Sequence, residues 1–180
     1  MDLENFEEKF AAITRSDAWQ RVQASFNNAK FVFYIGNGGN LAVSSHAASD
    51  ASRLTGKNVM APEDSIALTA LAGDVGFEKL YRTWLEGKAR NISPEDCLVI
   101  GLSCSSASPS ALGIMDALSW AAEQGMQTVI FSAGPKENLN PKTIPLIQNV
   151  NFHHTSEMLS LALSYELIRG NHFELPKIKK

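Results

Sequence analysis

The sequence is poor in cysteine, in net charge and in long apolar runs, and each shortage excludes a class of protein. Two cysteines in 180 residues, Cys97 and Cys104, cannot form a disulfide framework. The formal net charge is −3, from 16 Lys and Arg against 19 Asp and Glu. That balance leaves no basic footprint for direct nucleic-acid binding, and the short basic tail at 176–180 reads as a solvated terminus. No apolar stretch approaches the roughly 20 residues of a membrane helix, so no membrane partner is expected. Residues 1–5 carry no basic region leading into an apolar core, so the expected location is cytoplasmic. Two phosphate-binding signatures are also missing. G-x-G-x-x-G fails at Leu41, and no Gly-Lys-Ser/Thr follows the glycines.

What is present is a chain of ordinary globular composition, 44% hydrophobic and 19% charged, long enough for one well-packed domain. Phe6, Phe10 and Ile13, then Trp19, Val22 and Phe26, recur at three- and four-residue steps, which predicts one or two amphipathic helices with a cap at Ser16-Asp17. Strands are predicted at 31–35, 97–102 and 127–132, with shorter ones at 65–70 and 147–152. Helices are predicted at about 40–55, 77–90, 109–124 and 155–169. Alternation of this kind calls for an α/β fold, a single-domain three-layer sandwich with a mainly parallel sheet of about five strands in the doubly wound, flavodoxin-like manner. The division expected is a helical segment at 1–28, suited to oligomerisation, and an α/β domain at 29–175. Trp84, Trp120, Met115 and Met126 sit at core spacings.

Two segments point to chemistry. Gly36-Asn37-Gly38-Gly39-Asn40 follows the first strand, and Ser103-Cys104-Ser105-Ser106-Ala107-Ser108-Pro109 follows the strand at 97–102. A strand feeding a loop that opens a helix leaves N–H groups unpaired where the helix dipole favours an anion. Glycine lets the backbone approach a ligand, and serine adds hydroxyl donors. Two such loops in one domain suggest a site for a phosphorylated, hydroxyl-rich molecule. Simpler readings stand beside this one. The glycines also suit tight packing, and Ser108-Pro109 is an ordinary N-cap with proline at the first helical position.

Gly36-Asn37-Gly38-Gly39, His46, Gly73-Asp74-Val75-Gly76-Phe77, Ser103-Cys104-Ser105 and Glu157 fall in the order and spacing of the sugar isomerase (SIS) domain. Over about residues 18–170 the chain resembles its phosphoheptose isomerase subfamily most. The resemblance implies that Asn37, Gly38, Gly39 and Asn40 line a sugar-phosphate pocket. Ser103, Cys104, Ser105 and Ser108 would cradle the phosphate, and Asp74 would reach the sugar hydroxyls from a loop. The chain departs from the family in detail: Asn40 replaces a serine, Cys104 a common threonine, and Ser106 a glycine.

Aldose–ketose isomerisation passes a proton between adjacent carbons through an enediol and needs an acid and a base. The resemblance puts a family glutamate at Asp50, four residues after His46, and a family carboxylate at Glu157. Asp50 and Glu157 are therefore the candidate catalytic residues, although Glu157 also suits a plain first-turn acid. The subfamily's Gln and His on the last helix, eight residues apart, read here as Ser156 and Ser164. His153, His154 and His172 are near in sequence but off the motif. His46 and Asp50 are the candidate metal ligands and zinc the candidate metal, with Ser156 and Ser164 standing where the other two ligands would be. The function implied is a ketose–aldose sugar-phosphate isomerase of the sedoheptulose 7-phosphate type, forming a homodimer or homotetramer. Its rival is a non-catalytic SIS module binding a phosphosugar or a protein partner, as the DnaA-binding members do.

Overall fold

The central strands are buried at nearly every successive position, which demands cover on both faces of the sheet, and the chain supplies helices to each. The computed structural model describes residues 3–104 and 108–178. Two helices come first, α1 (Phe6–Thr14) and α2 (Asp17–Asn28), separated by Ser16, whose hydroxyl accepts from the Trp19 N–H at 3.1 Å as the cap of α2. Strand β1 (Phe31–Gly36) leads into α3 (Gly39–Thr55) and the short β2 (Asn58–Met60). Then follow α4 (Ser65–Val75), α5 (Leu80–Lys88) and a single 3-10 turn at Pro94–Asp96. β3 (Cys97–Ser103), α6 (Pro109–Glu123), β4 (Gln127–Ser132), β5 (Ile144–Ile147) and α7 (His153–Gly170) complete the chain.

The five strands form one sheet in the order β2-β1-β3-β4-β5, every described pairing parallel. This is the flavodoxin-like order, with its switch point between β1 and β3. Val32, Tyr34, Leu98, Ile100, Leu102, Val129 and Phe131 face one way and pack with α2, α3 and α7. Phe33, Ile35, Val99 and Ile130 face the other way and pack with α5 and α6. Tyr34 is wholly buried in the first layer, and burial raises its phenol to a pKa of about 12. Cys97 is buried at the start of β3, where lost hydration raises its thiol to about 11.

Three expectations need correction. Residues 65–70 are helical: Asp64 caps α4 by accepting from the Ile66 and Ala67 N–H groups. The strand that pairs with β1 on that side is the three-residue β2 instead. β5 begins at Ile144, earlier than 147, and runs through Pro145, which an edge strand tolerates because one side of it carries no ladder partner. The N-terminal apolar side chains are used within the chain. Ile13, Trp19, Val22 and Phe26 are buried in the same core as β1 and α7 with Phe10 packed beside it, and Phe6 packs against the small cluster of Ala133, Val150 and Leu159. Among the described residues no helix is long and apolar enough to cross a membrane.

Candidate functional site

At the switch point the loops after β1 and β3 leave the sheet in different directions and open a crevice beyond the strand ends. That crevice holds a cleft of about 550 Å³. Asn37, Gly38, Gly39 and Asn40 line it from the first loop, Ser103, Cys104 and Ser108 from the second, and His153 and Glu157 from the start of α7. The N-termini of three helices, α3, α6 and α7, thus meet at one cavity. Neither α3 nor α7 is capped by the side chain of its own N-cap residue. At α3 the Asn40 and Leu41 N–H groups bond back to the Asn37 and Gly38 carbonyls, and at α7 Glu4 accepts from Asn151 and Phe152, so the N–H groups of the first turn of α7 from His153 on are the donors that an anion would satisfy. Ser108 does cap α6, accepting from Ala111 at 3.2 Å, so the ordinary N-cap reading holds for it as well. Ser105, a predicted phosphate ligand, lies outside the described residues, as does Ser106.

The glycine loop is held by a residue far away in sequence. Tyr81 on α5 donates its hydroxyl to the Gly36 carbonyl and lies 3.0 Å from Asn37 Oδ1. Burial pushes its phenol well above its ordinary pKa, keeping it a neutral donor. Gly38 adopts φ +58°, a left-handed conformation that sets the turn into α3. Cys104 stitches the walls together. Its sulfur accepts from Asn40 Nδ2 at 3.2 Å, and its thiol faces the His153 carbonyl at 3.8 Å. Asn40 is only 5% exposed, yet among the described residues its Oδ1 meets no hydrogen-bond partner. A buried amide oxygen in that state calls for a donor.

Glu157 is the carboxylate of the cleft. A methyl added at Gly39 would lie 2.5 Å from Glu157 Oε2 and closer still to Oε1. The carboxylate therefore rests on the first turn of α3, where the positive end of the helix dipole stabilises its charge. His153 is four residues earlier on α7, one helical turn away on the same face.

The other predicted residues lie elsewhere. Asp74 falls in the last turn of α4, exposed, and is not among the residues lining the cleft. Asp50 and His46 are also outside that lining, on the face of α3 that meets α7. There Tyr165 donates to Asp50 Oδ2 at 2.8 Å and lies 2.7 Å from His46 Nε2, while Arg53 donates to Asp50 Oδ1 at 2.9 Å. The Arg53 hydrogen bond, helped by that from Tyr165, holds the Asp50 carboxyl below its usual range. This arrangement does not fit zinc. The tyrosine hydroxyl bridges the two candidate ligands, and among the described residues no three His, Cys, Asp or Glu side chains are grouped to hold a metal.

Ser156 and Ser164 turn out to face inward. Ser156 donates to Gln148 Oε1, Gln148 donates to Ser160 Oγ at 2.8 Å, and Ser164 donates to the Ser160 carbonyl at 2.8 Å. The serines at 156, 160 and 164 form a narrow buried face of α7. One residue further on, Glu157 and Tyr165 keep the eight-residue spacing and face α3. The register of α7 is thus shifted by one from the sequence expectation. His153 and Tyr81 were visible only as a histidine near a helix start and an aromatic at core spacing.

No family model matches the chain. A phosphoheptose isomerase of Chlorobaculum parvum is 30% identical over 128 residues, which is 67% of this chain and 58% of that protein. The chain thus spans little more than half the length of the curated relatives it matches. The solved phosphoheptose isomerase of Neisseria gonorrhoeae superposes with a TM-score of 0.72 at 19% identity, over 94% of this chain and 92% of that one. The sugar isomerase domain of an RpiR transcription factor from Sphaerobacter thermophilus follows with a TM-score of 0.60 at 19% identity, over 93% of this chain and 83% of that one.

Proposed function

We propose that this chain, an SIS-domain protein related to the phosphoheptose isomerases, binds a sugar phosphate in the cleft between β1 and β3 and interconverts its ketose and aldose forms. The substrate type we assign is sedoheptulose 7-phosphate. One observation carries the proposal: three helix N-termini converge on a cavity that also holds a carboxylate, Glu157. The N–H groups and the serine loop hold the phosphate, and Asn37 and Asn40 hold sugar oxygens.

Glu157 then acts as the base. It takes the proton from the carbon next to the carbonyl, giving an enediol, and returns it to the adjacent carbon. His153, a turn away, moves the other proton between the two oxygens. Asp50 is not needed for this sequence.

Deuterium incorporation from D₂O into sedoheptulose 7-phosphate, followed by NMR, tests the reaction. Wild-type protein should label the carbon beside the carbonyl. Glu157→Gln should lose exchange by about 100-fold or more while still being stabilised by the sugar phosphate in thermal unfolding. The second reading, a non-catalytic sugar-phosphate module, is favoured by the commitment of His46 and Asp50 to Tyr165 outside the cleft. A wild-type protein that binds heptose, hexose or pentose phosphates and exchanges none of them would establish it.

A homodimer or homotetramer belongs to the same proposal. Its support is no longer the N-terminal helices but Leu112, Phe152 and Met158, at least 41% exposed and each next in sequence to a cleft residue. Light scattering giving a particle of 19.6 kDa would refute it.

A further inference from the structure

α7 begins at His153, and the residue before it, Phe152, offers no side-chain cap. The segment that opens the chain does this work from a distance. Glu4 lies 147 positions before Asn151, yet its carboxylate accepts from the Asn151 N–H at 2.8 and 3.0 Å and from the Phe152 N–H at 3.1 Å. Lys9 on α1 donates its ammonium to the Asn149 carbonyl. Phe6 packs against the small cluster that contains Val150. All four residues of the α7 entry, 149 to 152, are therefore gripped by residues 4–9.

The backbone on both sides of this grip is held in an unusual state. Glu4 and Asn5 have φ of +50° and +57°, and Asn149 has +53°. Side chains other than glycine stay in that region only where their surroundings hold them. A carboxylate accepting two N–H groups at a helix start is also a charge-assisted contact that the helix dipole favours.

What the grip controls is the first turn of α7. Helix ends fray unless their free N–H groups are satisfied. His153 is the first residue of that turn and lines the cleft, with its carbonyl 3.8 Å from the Cys104 sulfur. Glu157, one turn further in, is held separately against Gly39. A loosened entry would release His153 and leave Glu157 in place.

We propose that Glu4 is a positioning residue of the reaction, fixing the entry of α7 so that the His153 imidazole stays within reach of the substrate oxygens. The assignment rests on the isomerase reading and concerns the proton that moves between the two oxygens. Glu4 is not among the residues lining the cleft, so it acts only through α7.

Amide hydrogen exchange and isomerisation kinetics, both on the full chain, test it. In Glu4→Ala the amides of residues 151–155 should exchange about tenfold faster or more, the usual scale for losing a charge-assisted contact. The rest of α7 should stay protected as in wild type. With sedoheptulose 7-phosphate, kcat should fall about tenfold while KM stays within about threefold. Adding Glu4→Ala to His153→Ala should cost less than about threefold further, because its effect passes through the imidazole. Glu4→Gln keeps one acceptor oxygen and should lose less in both measurements. Glu8→Ala removes the same charge from an exposed position of α1 and should match wild type. Unchanged amide protection in Glu4→Ala would overturn the grip, and equal losses of kcat with and without His153 would overturn its action through that residue. Either result leaves the proposed reaction standing. A wild type that isomerises no sugar phosphate, with the α7 entry still loosened in Glu4→Ala, would overturn the reaction and its positioning residue together.

Discussion

Gly39→Ala separates the placement of Glu157 from the stability of the fold. The added methyl would stand 2.5 Å from Glu157 Oε2, whereas ordinary contact begins near 3.4 Å. The carboxylate, the mobile end of its side chain, must therefore retreat by about 1 Å, a distance that costs on the order of 100-fold when geometry carries catalysis. The fold should hardly notice. Gly39 opens α3 without a positive φ, and Gly→Ala at a compatible position gains about 0.4–1 kcal/mol through the unfolded chain. Against that stands a weakened carboxylate–dipole contact of about 0.3–1 kcal/mol. The two nearly cancel. The expected result is a deuterium-exchange rate down by about 100-fold, with a urea midpoint close to wild type. Gly38→Ala is the contrast, because φ +58° there makes any side chain strained, and it should lower stability outright. Gly39→Ala protein that exchanges within about threefold of wild type would refute Glu157 as the base, since the catalytic distance would then not matter.

Tyr81→Phe should cost about 1–2 kcal/mol in urea unfolding, because it leaves the Gly36 carbonyl without its donor. It should also raise KM, because Asn37 loses the partner that orients it; a variant unchanged in both would show that Tyr81 does not hold the loop. Asp50 is held below its ordinary 3.8 by Arg53, so its ionised form stabilises the folded state. That contribution is complete above pH 3.8 and is lost as pH falls through the lower native value, so Asp50→Asn should flatten this part of the stability–pH curve. Identical acid limbs in the two proteins would refute the pairing. EDTA should leave both exchange and unfolding temperature unaltered, since Tyr165 bridges His46 and Asp50; activity lost to EDTA and restored by zinc would overturn that view.

Local chemistry was legible along the chain. Apolar runs at 31–35, 97–102 and 127–132 specify strands, Ser16 and Ser108 declare helix starts, and the small-residue loops after β1 and β3 announce donors for an anion. Each of these depends on neighbours within a few residues, which is the range over which dihedral preferences, caps and periodicity act. Parallel pairing of those runs follows from the helices between them. Three residues of β2 are too few to show a period, and the alanine- and leucine-rich run of α4 reads equally as strand until Asp64 is recognised as its cap.

Only packing decided the rest. Whether 156 and 164 or 157 and 165 face α3 is a rotation of about 100° per residue, set by which side of α7 fits against the sheet. The narrow serine face went inward and delivered Glu157 to Gly39 and Tyr165 to His46. Tyr81 and Gly36 are 45 positions apart, and Glu157 and Gly39 belong to helices that follow different strands. No spacing rule joins such pairs. They meet because parallel strands bring all their C-terminal ends to one edge of the sheet, and a site assembled there takes its residues from every loop along that edge.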